Sequence, residues 1–263
     1  MTTINFNTHD HNFCESSIYG DSIHPEYFNA LSSLVMTFFG FIGIIQHPIS
    51  SLLIIFYSTL IINGVTSCLY HLYNSIGWGL MDRVSMVLVA MSSISLFINN
   101  IHFILVLQQW KNVKLIFNII NLFIIIYFTT LFTIIGLHME ILFNIMFGIF
   151  LASLYILLFL ITKYYYKFKI PYALILLGWK GVNYILISGL FWIITESLCH
   201  KLFIIKYLMG HVFWHIFVSY GGYIISLIPY YMYLQDNNMI YSIKVVYKYY
   251  YIPYLKIDYE LDR

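Results

Sequence analysis

Charge is what this chain has least of. Only 9% of its 263 residues are Asp, Glu, Lys or Arg, against about 25% in a soluble globular domain. That shortage excludes a water-exposed particle, because too little polar surface exists to cover one. It also fits the mean hydropathy of +0.81. The first 28 residues contain no Lys or Arg and no long apolar stretch. A cleaved signal peptide needs a basic start and an apolar run, so the first hydrophobic helix is expected to act as its own targeting signal. No loop is long enough for a soluble domain, and no internal repeat is present. Strands of a membrane β-barrel would alternate over short segments, and the apolar runs here are longer and apolar all round.

What is there is 61% hydrophobic, gathered into runs long enough to cross a bilayer. Backbone groups in lipid must be satisfied within their own segment, so the runs are expected to be helices. Seven spans are expected: Phe28–Gln46, Ser50–His71, Met81–Leu107, Leu115–Leu137, Ile141–Thr162, Pro171–Thr195 and Tyr207–Leu234. The implied fold class is an all-α membrane protein, a seven-transmembrane-helix bundle. Its parts are a polar N-terminal segment (1–27), the helical domain (28–234) and a tail (235–263). With the N-terminus outside, the inner segments hold Lys111, Lys114, Lys163, Lys167, Lys169, Lys244, Lys248, Lys256 and Arg263. The outer ones hold only Arg83, Lys201 and Lys206. The positive-inside rule therefore favours an outside N-terminus and a cytosolic tail. The tail, with Tyr247, Lys248 and Tyr249, is expected to lie at the membrane interface.

Ionisable groups within spans are costly and invite a functional question. Of the ten His, His9, His11, His24 and His200 fall in polar outer segments, His47 and His138 at span ends, and His102 near the inner end of the third span. His211 and His215 are four apart, hence on one helix face, where two imidazoles can share a metal. The pair alone also fits hydrogen-bonded core histidines. His71 ends the second span with Ser67 four residues before it, and Asp82 opens the third. The topology brings all five to one depth. Three His with an open position is a catalytic zinc arrangement. A zinc ion so held lowers the pKa of water to about 7, and a neighbouring carboxylate can take its proton.

The run Ser67-Cys68-Leu69-Tyr70-His71, then Asp82, then His211-Val212-Phe213-Trp214-His215 resembles the signature shared by the alkaline ceramidases and the adiponectin receptors. The closer resemblance is to the alkaline ceramidases. It extends to Cys14-Glu15, to the stretch from Glu26 to Met36, to Leu80-Met81-Asp82, to Ile145-Met146-Phe147-Gly148, and to Phe191-Trp192 with Cys199. The resemblance implies hydrolysis of the ceramide amide within the membrane. It makes His71, His211 and His215 zinc ligands, Asp82 the acid/base residue and Ser67 the active-site hydroxyl. It also implies calcium at Asn12, Glu15, Ser17 and Glu26, all oxygen donors as calcium prefers. Asn12 and Ser17 stand where the family has Asp and Asn.

Two more departures bear on substrate: Phe147 replaces a Tyr, and Thr195 replaces an Asp, with Glu196 adjacent. Cys68 reads as a small buried hydrophobe. Cys14 and Cys199 fall on the outer side, and the family has Cys at both positions, which suggests a bridge. The compartment implied is endoplasmic reticulum or Golgi in a eukaryotic-type cell. The partner implied is the lipid substrate, with no nucleic acid and no obligate protein partner. A receptor-like member of the superfamily is the alternative, and a seven-helix transporter without hydrolysis is a third class.

Overall fold

A computed structural model describes residues 13–19, 25–47, 50–106, 119, 123–127, 129–131, 134, 140–163, 169–199, 201–202, 204–236, 242–248 and 252–258. Six long helices are described: α1 (Tyr27–Gln46), α2 (Ser51–Tyr73), α3 (Ile76–Val106), α4 (Glu140–Lys163), α5 (Tyr172–Leu198) and α6 (Gly210–Asp236). Residues 123–127 and 129–131 are also helical. Five helices are long and apolar enough to cross a membrane: Tyr27–Gln46, Ser51–Tyr73, Ile76–Asn99, Tyr172–Leu198 and Ile205–Gln235. A shorter apolar helix covers Phe147–Lys163. Most of the expected fourth span, Leu115–Leu137, lies outside the described residues, as does Leu107 at the end of the third.

The outer helices bury a stripe and turn an apolar face outward, whereas α6 is buried along most of its length. On α1 the buried residues include Asn29, Ser32, Ser33, Met36, Gly40 and Gly43, while Leu31, Phe38, Phe41 and Ile45 are exposed. Small and polar residues inside with large apolar ones outside is the pattern of helices packed in lipid. The close approaches are made at glycine. A Cβ on Gly40 of α1 would stand 2.8 Å from the Tyr57 carbonyl of α2, and one on Gly181 of α5 would stand 2.8 Å from the Gly221 carbonyl of α6. Any side chain there would push the helices apart.

The turn between α2 and α3 departs from the sequence expectation. Asn74 ends α2 in the left-handed conformation, with φ 43°, a common helix stop. Its N–H bonds the Tyr70 carbonyl at 2.6 Å. The Ser75 carbonyl then accepts the Gly79 N–H at 2.8 Å, and α3 starts at Ile76 rather than Met81. Gly77 and Gly79 are poor helix formers, which is why the stretch reads as loop. Packing overrides that preference, and Asp82 stands in the second turn of α3 rather than at its start.

The tail adds a small sheet to the otherwise helical chain. Ser242–Lys248 (β1) and Ile252–Asp258 (β2) form an antiparallel hairpin with Val245 opposite Leu255. Leu255 is buried in the main core, with Val245 and Ile252 packed against it. The Tyr223 hydroxyl of α6 reaches the Pro253 carbonyl at 2.8 Å and Gln46 Oε1 at the end of α1 at 2.5 Å. The hairpin is thus seated at the end of the bundle where α1 finishes.

Candidate metal centre

The opposite end of the bundle, where α1 begins, collects the polar residues. α2 and α5 finish there, and α3 and α6 start there. His71 lies in the last turn of α2 and His211 and His215 in the first two turns of α6. All three are buried. One ring nitrogen from each can be chosen so that all lie within 4.8 Å of one another. Ring centroids are 4.8 Å apart for His71 and His211, 5.2 Å for His71 and His215, and 4.6 Å for His211 and His215.

The hydrogen bonds around these rings fix which nitrogen faces the centre. His71 Nδ1 lies 2.6 Å from Glu26 Oε2. A carboxylate can only accept, so Nδ1 carries the proton and Nε2 offers its lone pair. That Nε2 is buried, with no hydrogen-bond partner among the described residues. His215 Nδ1 lies 2.9 Å from Ser32 Oγ and 3.2 Å from Ser33 Oγ. The single Ser32 proton goes to the Asn29 carbonyl at 2.9 Å, so its oxygen accepts from Nδ1–H, and His215 Nε2 also offers a lone pair. His211 Nδ1 is 3.8 Å from Glu196 Oε1. The His71 Nε2, buried with no hydrogen-bond partner among the described residues, requires explanation. His71 and His215 thus turn Nε2 inward with Nδ1 on an acceptor, and three clustered imidazoles are a donor set that fits zinc.

Asp82 and Ser67 stand beside the cluster. Ser67 hydrogen-bonds the Asp82 carboxylate, and Asn63 Nδ2 donates to Asp82 Oδ1 at 3.2 Å and to Ser85 Oγ at 2.8 Å. Arg83 also acts on Asp82 through its charge. A cavity of about 350 Å³ opens here. Asn63, Ser67, Asp82, Glu196, His211 and His215 line its polar part, and Phe56, Leu60, Val89, Leu154, Val218 and Ile225 line the apolar part. On α6 the lining continues past His215 to Ile225, about 15 Å along the helix axis. One end can therefore bind a polar group while the depth takes hydrocarbon. Phe147 also lines this cavity.

The N-terminal segment closes the site from above. The Phe13 ring lies 5.1 Å from His71 and 4.7 Å from His211. Cys14 and Cys199 are within disulfide distance, their Cα atoms 5.8 Å apart. Cys68 is half-buried in α2 and unbridged. Glu15 accepts the Phe28 and Asn29 N–H groups at 2.7 and 2.8 Å, capping α1 where orphan donors gather. Burial pushes the Glu15 carboxyl up from its ordinary value. The two backbone N–H groups pull it down, and the Glu26 charge adds to the rise. Ser17 Oγ bonds the Cys14 carbonyl at 2.7 Å. Asn12 lies outside the described residues.

Several of these partners were not singled out in the sequence. Asn63 is four residues before Ser67, on the same face of α2, so extending the Ser67–His71 spacing one turn back would have found it. Glu196 is four residues after Trp192, and both line the cavity, whereas Thr195 is turned away. The pairing of Ser32 with His215 joins residues 183 apart and leaves no local signal.

By class this is a bundle of helices, five of them long and apolar enough to cross a membrane, with a buried three-histidine cluster at the polar mouth of an apolar cavity. A family model described as Ceramidase matches residues 6–256, and the chain belongs to that family. Among curated proteins none matches it.

Proposed function

We propose that this chain hydrolyses the amide bond of ceramide, using a zinc ion held by His71, His211 and His215. The observation that carries the reading is the buried Nε2 of His71, aimed into a cluster of three imidazoles at the mouth of a lipid-sized cavity. Zinc at that position would supply a Lewis acid for the amide carbonyl and lower the pKa of water to about 7. Asp82 takes a proton from the attacking water and delivers it to the amide nitrogen as the C–N bond breaks. The products are a fatty acid and a sphingoid base. Asn63 holds the Asp82 carboxylate, and the single Ser67 proton, on Asp82 in the resting site, turns to steady the carbonyl oxygen as charge develops. The apolar depth of the cavity holds an acyl chain and excludes water.

The N-terminus is assigned to the lumen or exterior and the tail to the cytosol on the Lys and Arg distribution. The same reading keeps seven spans and the three-part division of the chain. Calcium belongs at Asn12, Glu15, Ser17 and Glu26. Two buried acids so close that the charge of one raises the other are relieved by a cation.

Zinc analysis of the purified protein, with a ceramide cleavage assay, tests the reading. Wild-type protein should carry one zinc per chain and release fatty acid. His215→Ala should insert normally and carry none. Zinc-loaded protein inert toward ceramide, or full zinc in His215→Ala, refutes it.

A further inference from the structure

We propose that Glu196 is the positioning residue of His211, so that each histidine of the cluster has its own partner. The assignment rests on reading the cluster as a zinc site. Glu26 holds His71, and Ser32 with Ser33 holds His215. Beside His211 stands Glu196, whose Oε1 is 3.8 Å from Nδ1. At that distance the carboxylate acts on the neutral ring's N–H through its charge rather than through a direct hydrogen bond. The contact lies in a setting where both side chains are largely buried, 8% exposed for His211 and 18% for Glu196.

The Glu196 carboxylate is itself held. Its Oε2 accepts the Cys14 N–H at 3.0 Å, and three residues on, Cys199 is bridged to Cys14. The bridge therefore fixes the helix turn that carries the acid and the backbone donor that orients it. On the other side the His211 ring is flanked by Trp192 at 5.0 Å and Phe13 at 4.7 Å, which limit its rotation. Negative charge toward Nδ1 keeps the proton on that nitrogen, turns Nε2 to the centre and raises its basicity.

Thr195 has no part in this. Its hydroxyl turns back to the Phe191 and Trp192 carbonyls at 2.9 and 3.0 Å, and it is buried against the start of α6, where a Cβ on Gly210 would stand 3.0 Å from Thr195 Cβ. One residue along a helix is a rotation of about 100°. The acid at 196 thus reaches the cavity while position 195 faces the neighbouring helix.

Zinc affinity of the full-length protein, measured by chelator competition, is the test. Glu196→Gln keeps an oxygen to accept the Cys14 N–H but removes the charge. It should bind zinc about 10–100-fold more weakly, with the Cys14–Cys199 bridge formed and the zinc-free thermal midpoint unchanged. Glu196→Asp should fall between the two, and Thr195→Val should match wild type. Removing the bridge with Cys14→Ser and Cys199→Ser should weaken zinc in the same direction, and less than additively with Glu196→Gln. Wild-type-like zinc affinity in Glu196→Gln overturns the role while leaving the zinc reading intact. A lowered zinc-free midpoint with unchanged affinity shows a structural role only, and also overturns it. Wild-type protein that binds no zinc overturns the zinc reading and this assignment with it.

Discussion

Glu26 and His71, 45 residues apart in the chain, meet through a 2.6 Å contact between Glu26 Oε2 and His71 Nδ1. The same residues also pair through the backbone, the Glu26 N–H donating to the His71 carbonyl at 3.0 Å. The start of α1 is therefore built onto the end of α2 at the metal centre. Glu26→Gln should leave the backbone contact in place and weaken zinc binding about 10–100-fold. Chelator competition reads the change, and an unaltered affinity would remove Glu26 from the site.

Asp82→Asn should retain zinc and the fold, because Asn63 and Ser67 can still bond a carboxamide. Turnover of ceramide should fall roughly 10²–10⁴-fold, about 3–5 kcal/mol of barrier, since an amide cannot accept the proton. Phe147 lines the same cavity. Restoring the family's hydroxyl with Phe147→Tyr should raise turnover of an unsaturated long-chain ceramide. Equal rates in Asp82→Asn and wild type would assign the proton transfer elsewhere.

Non-reducing peptide mapping should recover Cys14 linked to Cys199 and Cys68 as a thiol. Replacing both bridge cysteines by serine should cost about 2–4 kcal/mol, read as a lower thermal midpoint in detergent. Reduced thiols at both positions in protein isolated from the cell would place the N-terminal segment in a reducing compartment.

Calcium should raise the thermal midpoint through Glu15 and Glu26. Glu15→Gln should abolish that shift while lowering stability only modestly, because the new side chain can still accept one of the two N–H groups that cap α1. A midpoint indifferent to calcium and to its chelators would leave these acids as a helix cap and a histidine partner only.

The apolar spans and the His211–His215 pair were legible because both are local. Hydropathy is a property of a run of residues, and a four-residue spacing fixes a helix face without reference to the rest of the chain. The hairpin was less legible: Ile243 to Lys248 and Ile252 to Ile257 are rich in β-branched and aromatic residues, but Tyr249, Tyr250 and Tyr251 between them carry no turn signal. It was obscured by the expectation of a tail lying on the membrane surface.

By itself the sequence determined that this is a chain of apolar helices of membrane-crossing length carrying histidine, aspartate and serine near helix ends, because bilayer thickness and helical pitch act on short stretches. Only the tertiary structure decided which acceptor serves which ring. Glu26 meets His71, Ser32 meets His215, and Glu196 meets His211 while also holding the Cys14 backbone 182 residues away. The rotation of each helix about its axis sets those pairings. That rotation is settled by close packing at residues such as Gly40 and Gly181, between elements that no local pattern connects.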